Sequence, residues 1–386
     1  VTYLSRLATI GLAKETTPGT YAAPTVSVPF TKGQYTDDIN QIKDESMRGN
    51  DVLLQGVYQG TVHSSFDVET WFYPDITGHW LRGMIGPDTV TAGVSTALSA
   101  STTAGATSIT TTASIAANTY IQIDTAANLE YAKVTAVSGT GPYTLTVTGA
   151  GASSGLLYAH TSAAAVVAQT LHTFKQARTF STVWPTYSWT VTDGVETRGF
   201  PGCVMSDLQI KIDPKGAVSI APKFLGWPGA AQATWTYAGS KLAPFLGWQW
   251  QMTNAGGSSN RGLTFDVNLK RATEAIHASM AQQGPREVFP GAIDAAGTYK
   301  AIYDSQTDLN LYLNGTQSPT VASLTQPIAA GAASLTLTMS QSAFTKGAVE
   351  LGGQYIQAAF DIGGINNATD GGAIAATLLN FQSAAY

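Results

Sequence analysis

Five histidines, one cysteine and 25 carboxylates are the side chains of this 386-residue chain best equipped for acid–base, nucleophilic or metal chemistry. The histidines stand at His63, His79, His160, His172 and His277, and no two lie at a metal-ligand spacing. Neither H-E-x-x-H nor a paired C-x-x-C occurs, so no ligand set is pre-positioned on a helix face or in a knuckle. Gly151-Ala152-Ser153-Ser154-Gly155 matches G-x-S-x-G in letters. A nucleophile elbow needs a buried strand before it and a helix after it, whereas Leu156-Leu157-Tyr158 follows here, and the segment reads as a flexible turn. Gly149 and Gly151 open a G-x-G-x-x-G pattern that fails at Ser154. Cys203 has no neighbouring base and reads as a small buried hydrophobe. Asn314-Gly315-Thr316 and Asn367-Ala368-Thr369 are glycosylation sequons without a secretion signal to give them meaning. Trp227, Trp235, Trp248 and Trp250 would suit a sugar-stacking platform, but tryptophans serve more often as core or subunit-interface anchors. No catalytic, cofactor-binding or metal-ligating set emerges, and the sequence predicts a non-enzymatic protein that carries no cofactor.

The elements that would position any site are strands. Thr61–Glu69 places Val62, Phe66 and Val68 on one face, and Val204–Asp213 alternates Leu208, Ile210 and Ile212 against Asp207, Gln209 and Lys211. Asp213-Pro214-Lys215-Gly216 has the composition of a tight turn into Val218, Ile220 and Phe224. Leu263–Leu269, Leu335–Met339, Tyr355–Asp361 and Ile374–Phe381 repeat the alternation, the mark of antiparallel sheets with one wet face. Helix is predicted only at Pro74–Ile85, where Ile76, Trp80, Leu81 and Met84 share a face, and at Ser305–Leu313, which also reads as a strand. Charged residues make up 12% of the chain, against ~25% in an ordinary soluble domain, while 51 threonines and 39 glycines fill the difference. With 44% hydrophobic and 10% aromatic residues the chain has enough apolar material for a core, which excludes disorder. No apolar run reaches the ~18–20 residues of a membrane span. A net charge of −5 argues against a phosphate-gripping protein, and Val1–Arg6 lacks the basic-then-apolar pattern of a signal peptide. Residues 92–168 hold only three charges, Asp124, Glu130 and Lys133, with short strands legible at Ser108–Thr112, Tyr120–Asp124, Glu130–Val137 and Tyr143–Thr148. This stretch reads as a small β module inserted into a discontinuous body made of residues 1–91 and 169–386.

Ile10-Gly11-Leu12-Ala13-Lys14-Glu15-Thr16-Thr17-Pro18-Gly19-Thr20, then Ala23-Pro24-Thr25 and Val28-Pro29, resemble the opening of the major tail tube proteins of long-tailed, siphovirus-type bacteriophages. Asp44-Glu45-Ser46-Met47-Arg48-Gly49, Gln55–Thr61 and Tyr73-Pro74-Asp75 follow in the family's order, and Gly364–Asp370 is similar to its C-terminal stretch. The resemblance is strong over residues 1–91 and looser over 170–386, and the insert departs from a minimal tube subunit. It implies a mainly β fold, a sandwich or barrel-like pair of sheets with one flanking α-helix. It also implies six subunits per ring, and rings stacked into a hollow tube through which DNA passes into the host. The expected partners are further copies of the chain and the tape measure, tail tip and terminator proteins. DNA would pass without tight binding, and no membrane insertion is expected. The expected location is the virion tail, assembled in the bacterial host cytoplasm.

Residues 1–91 carry six basic and ten acidic side chains. Asp37, Asp38, Asp44, Glu45 and Asp51 cluster there, offset only by Lys43 and Arg48, and are the candidate lumen or inter-ring residues. A negative bore would repel phosphate and let DNA slide, since counterion-release affinity needs the opposite sign. A solvated acidic loop or an interface ion-pair network accounts for the same cluster equally well. The long segment Lys32–Gly60 is the candidate arm reaching a neighbouring ring. The insert is read as an outward decoration that tunes stability or binds the bacterial surface weakly, or else as a passive graft. The competing function is a secreted or surface carbohydrate-binding, adhesin-like β protein. A related alternative is another tail component of similar fold.

Overall fold

The computed structural model describes residues 2–386 except 177, 181, 241, 255, 256, 260 and 280, without the side chains of 126 and 257–259. The alternating segments form antiparallel strands, as their period requires. Strands β1 (Thr9–Lys14), β2 (Val26–Val28), β3 (Lys32–Asp44) and β4 (Gly56–Trp71) lead into helix α1 (Thr77–Met84) and strand β5 (Asp88–Thr91). The low-charge stretch supplies β6 (Ser95–Ala97), β7 (Ser108–Thr111), β8 (Tyr120–Ile123), β9 (Glu130–Ser138), β10 (Tyr143–Gly149) and β11 (Ala165–Ala168). Next come β12 (Thr170–Phe174), β13 (Tyr187–Thr192), β14 (Thr197–Ile212), β15 (Ser219–Gly226) and β16 (Ala230–Ala231). The last third holds β17 (Trp250–Asn254), β18 (Gly257–Ser259), β19 (Gly262–Arg271), the small pair β20 (Glu274–Ile276) and β21 (Glu287–Phe289), and β22 (Ile293–Ile302). It ends with helix α2 (Thr307–Leu313), β23 (Ser318–Thr325), β24 (Ser334–Glu350), β25 (Gln357–Gly364) and β26 (Ala375–Asn380).

These elements form one unit twice over. The quartet β3-β4-β15-β14 is joined through the β14–β19 pairing to a second quartet, β19-β22-β25-β24, with the same chain connections. In each unit a short pair, β1–β2 or β17–β18, leans through its first strand on β13 or β23. That strand in turn pairs with the first half of the long strand β14 or β24. Even the irregularities recur. The β14–β15 register slips between Met205 and Asp207, leaving Ser206 as the extra residue. The β24–β25 register slips between Phe344 and Lys346, leaving Thr345. Each bulge falls three residues past the last residue that its long strand pairs with β13 or β23, Cys203 or Ser342, and adds local twist just beyond the change of partner.

The buried face of the first quartet packs against β13 through aromatic rings. Phe66 stacks on Trp189 at 5.6 Å between centroids, Trp189 meets Phe224 at 5.0 Å, and Trp80 of α1 stacks on Trp189 at 6.1 Å. Helix α1 begins at Thr77, three residues later than the sequence predicts, because Pro74-Asp75-Ile76 form a turn. The Pro74 carbonyl accepts a hydrogen bond from Asn380 there. Gly78 is required by a close approach: a Cβ at this position would lie 2.1 Å from the buried Tyr386 ring. Segment Ser305–Leu313, for which strand was the competing reading, is the helix α2.

Residues 95–168 form a separate six-stranded sheet, in the order β6-β11-β8-β9-β10-β7, with its own apolar cluster that includes Ile109, Ile121, Ile123, Val134, Leu145 and Val166. All four strands predicted there are present. The closing strands β6 and β11 were illegible because they are only three and four residues long, Ser-Thr-Ala and Ala-Val-Val-Ala, too short to show an alternation. The sheet meets the body through the stacked rings of Tyr131 and Phe381, 5.2 Å apart, and through Gln169, whose Nε2 donates to the Ala332 carbonyl at 2.7 Å. Both carboxylates of the stretch serve His160. Glu130, 2% exposed, lies 2.5 Å from His160 Nε2 and accepts the Leu157 and Tyr158 amides. Asp124 meets Nδ1 at 3.2 Å, and that bond holds its carboxyl below the usual range. The contribution of Asp124 to stability is therefore complete at neutral pH and is lost as pH falls through its lowered pKa. Replacing His160 by Ala leaves the buried Glu130 charge without its counter-ring. Calorimetry of H160A should show the 95–168 sheet destabilised by about 3 kcal/mol while the main transition stays in place. An unmoved transition for this sheet would mean that the two amides suffice for Glu130.

Candidate assembly surface

Along the eight strands of the two joined quartets, alternate residues enter the core and the others form one broad polar face. Asp207 lies opposite Lys270 and Lys223, Lys211 opposite Asp266, and Lys270 opposite Asp294. Asp361 lies opposite Lys346, and Lys223 reaches Asp67 at 3.0 Å. Opposite charges thus face each other across strands, the arrangement that favours pairing. Eight carboxylates (Asp38, Asp67, Glu69, Asp207, Asp266, Asp294, Glu350, Asp361) share the face with six lysines (Lys32, Lys211, Lys223, Lys270, Lys300, Lys346), a surplus of two acids. Partial burial raises the pKa of Asp207, with Lys270 and Lys223 opposing, and that of Asp266, with Lys211 opposing.

The face ends at two open edges. Among the described residues β3 pairs only with β4, and the second half of β24 pairs only with β25. The β3–β4 hairpin also outruns the sheet. Its ladder continues to Asp44 opposite Gly56, and residues 45–55 close the tip. Ile42, Met47, Val52, Leu53, Val57 and Tyr58 are all exposed along this extension. Exposed apolar side chains gathered on one projecting hairpin make it the candidate contact surface of the chain. The expected arm at Lys32–Gly60 is thus one continuous hairpin, a regular element that projects apolar side chains.

The five acids singled out in the sequence do not form one cluster. Asp37 and Asp38 are neighbours on β3 and point to opposite faces. Asp37 turns toward the core side, where Arg198 meets it at 2.8 Å and Ser64 donates to it at 2.7 Å. Arg198, which sequence reasoning missed, also lies over the rings of Tyr35 and Phe200. Asp38 faces the polar surface, accepts from Ser65 and sits 3.7 Å from His63. Asp44, Glu45 and Asp51 belong to the arm. Asp44 pairs with Arg48, and hydrogen bonds from Ser46 lower its pKa, while Glu45 and Asp51 are exposed.

The sequence matches the family described as phage tail tube proteins over residues 5–378. The chain belongs to the phage tail tube protein family. A search of curated proteins found no match. The opening phrase that resembles the tail tube proteins has a physical role in this fold. Glu15 is buried, and its carboxylate accepts from Gly19 N at 2.8 Å, Ser188 Oγ at 2.7 Å and Gly202 N at 2.7 Å. It pins the Thr16–Thr20 loop to β13 and β14. Gly19 adopts φ +78°, and its open side faces the Trp227 ring, which a Cβ would strike at 2.6 Å. The four tryptophans considered as a sugar platform are dispersed: Trp250 stacks on Phe265 at 5.8 Å, Trp227 and Trp235 are half-buried, and Trp248 alone of the four is mostly exposed. Replacing Glu15 by Ala strands three donors, the buried Gly202 amide and Ser188 hydroxyl and the half-buried Gly19 amide. Chemical denaturation of E15A should show a loss of about 2–4 kcal/mol. A loss near zero would place the anchoring of this loop elsewhere.

Proposed function

We propose that this chain is the structural subunit of a phage tail tube, with copies closing edge to edge into rings of six tube units and the rings stacking into a hollow conduit for DNA. The observation that carries this reading is the pair of open edges on one continuous antiparallel sheet. A sheet open at both ends is soluble only while its edges are protected, and ring closure removes them. Because the core and the helices lie on the other side of the sheet, closure turns the polar face inward. The bore then carries a surplus of two acids per chain, with Asp38 among them, and its lysines are matched by carboxylates. Phosphate meets no net positive surface on which to adhere. The arms, with Asp44, Glu45 and Asp51 at their outer part, project along the tube axis and bury their apolar residues on the next ring. The sheet formed by residues 95–168 decorates the outer wall, and its scarcity of charge lets it project without perturbing ring closure. Other copies of the chain are the main partners, with the tape measure, tail tip and terminator proteins at the ends of the assembly.

Electron microscopy of the purified chain at high concentration tests the assembly. Tubes of uniform diameter are expected, and removal of residues 46–54 should leave rings that do not stack. A chain that stays monomeric at all concentrations contradicts the proposal. Reversing Glu69 and Asp266 to Lys makes the bore net positive. Virions carrying E69K/D266K should assemble and eject DNA at least several-fold more slowly at low salt, with the difference shrinking as salt is raised. Equal ejection rates at low salt would remove these residues from the bore.

A further inference from the structure

The two open edges correspond to the two strands that are already joined inside the chain. We propose that the β24 edge of one chain pairs antiparallel with the β3 edge of the next, in the register that joins β14 to β19, so that a ring of six units holds three chains. This rests on the tube reading above.

The correspondence follows from the repeated bulges and pairings. With Ser206 matched to Thr345, Asp207 corresponds to Lys346, Gln209 to Ala348, Lys211 to Glu350 and Ile212 to Leu351. On the other side, Lys223 pairs with Asp67 where Asp361 pairs with Thr298, so Glu69 corresponds to Lys300. Glu69 pairs with Lys32 and Lys300 with Thr264, which makes Asp38 the counterpart of Lys270 and Thr36 that of Asn268. Inside the chain Asp207 faces Lys270 and Gln209 faces Asn268. Carried over to the open edges, these pairs become Lys346 with Asp38 and Ala348 with Thr36. The Asp–Lys pair at the internal junction recurs at the open edges with its signs exchanged.

Burial points the same way. Ile212, covered by β19, is 1% exposed, whereas its counterpart Leu351 is 75% exposed. Helix α1 rests on β14 and reaches across to β19 of the next unit, while α2 rests on β24 and has no unit beyond it, which leaves Leu313 exposed. The second unit therefore ends on core positions awaiting the cover that the first unit receives. A second copy presenting β3 supplies that cover in the geometry the fold already uses. The contact is heterologous, and successive copies close a ring.

Native mass spectrometry of assembled rings, together with a cysteine pair, tests this. The ring mass should be three times 40.3 kDa, and a mass of six chains overturns the stoichiometry. In tubes of T36C/A348C, oxidation should give a ladder of covalently linked chains at least ten-fold stronger than in the off-register control N40C/A348C. Cys203 is buried and stays out of the reaction. Tubes that form without the 36–348 link overturn the register while leaving the tube reading intact; a persistent monomer overturns both. As a second variant, D38K sets two lysines against each other and should reduce assembly at least ten-fold, and D38K/K346E should restore it. Circular dichroism checks that each variant folds. Assembly of D38K at the wild-type level would overturn the pairing.

Discussion

An edge strand exposes a row of backbone N–H and C=O groups that water satisfies only until another strand arrives. That constraint organises this molecule. The strands of the body are arranged so that eight of them form one run, and the run stops with β3 at one end and β24 at the other. What lies on either side follows from it. The apolar residues of the run need a second layer, which β13, α1 and their counterparts provide. The polar residues need matched charges, which cross-strand Asp–Lys pairs provide. The low overall charge of the chain fits the same constraint, since a subunit whose edges were covered by neighbours would have less surface to keep soluble.

The protection of the edges before assembly is also visible in their composition. Where the internal junction has Leu208 and Leu269 on its core side, the corresponding open-edge residues are Gly347 and Asp37. The edges are thus less sticky than the junction they imitate. Asp37 is held by Arg198, so that a neighbour covering this edge would meet a paired carboxylate and not a lone one, whose burial costs far more.

Much of the fold was legible because alternation is a local property. Thr61–Glu69, Val204–Asp213 and the turn at Asp213–Gly216 could be read directly, and the Gly216 amide does bond the Asp213 carbonyl. The tandem repeat was not legible, since it resides in hydrogen-bond register, which side chains determine only loosely. Phe66 corresponds to Gly297 and Asp207 to Lys346, so the two units share pairing and bulges with little shared sequence. The five acids between Asp37 and Asp51 lie apart in space for a related reason. Neighbours on a strand diverge, so closeness in sequence between Asp37 and Asp38 is separation in space. Nothing local to Glu15 reveals its burial, because two of its partners, Ser188 and Gly202, lie far along the chain.

The two units differ most in what lies between the helix and the strand that follows it. After α1 the chain detours through residues 95–168 before reaching β13, whereas after α2 it passes to β23 within five residues. Fusing two units into one polypeptide therefore breaks the equivalence that separate identical subunits would have to keep. Only alternate positions around a wall built from such chains carry the extra sheet. In such a wall, copies of the extra sheet would stand at every second unit instead of at every one.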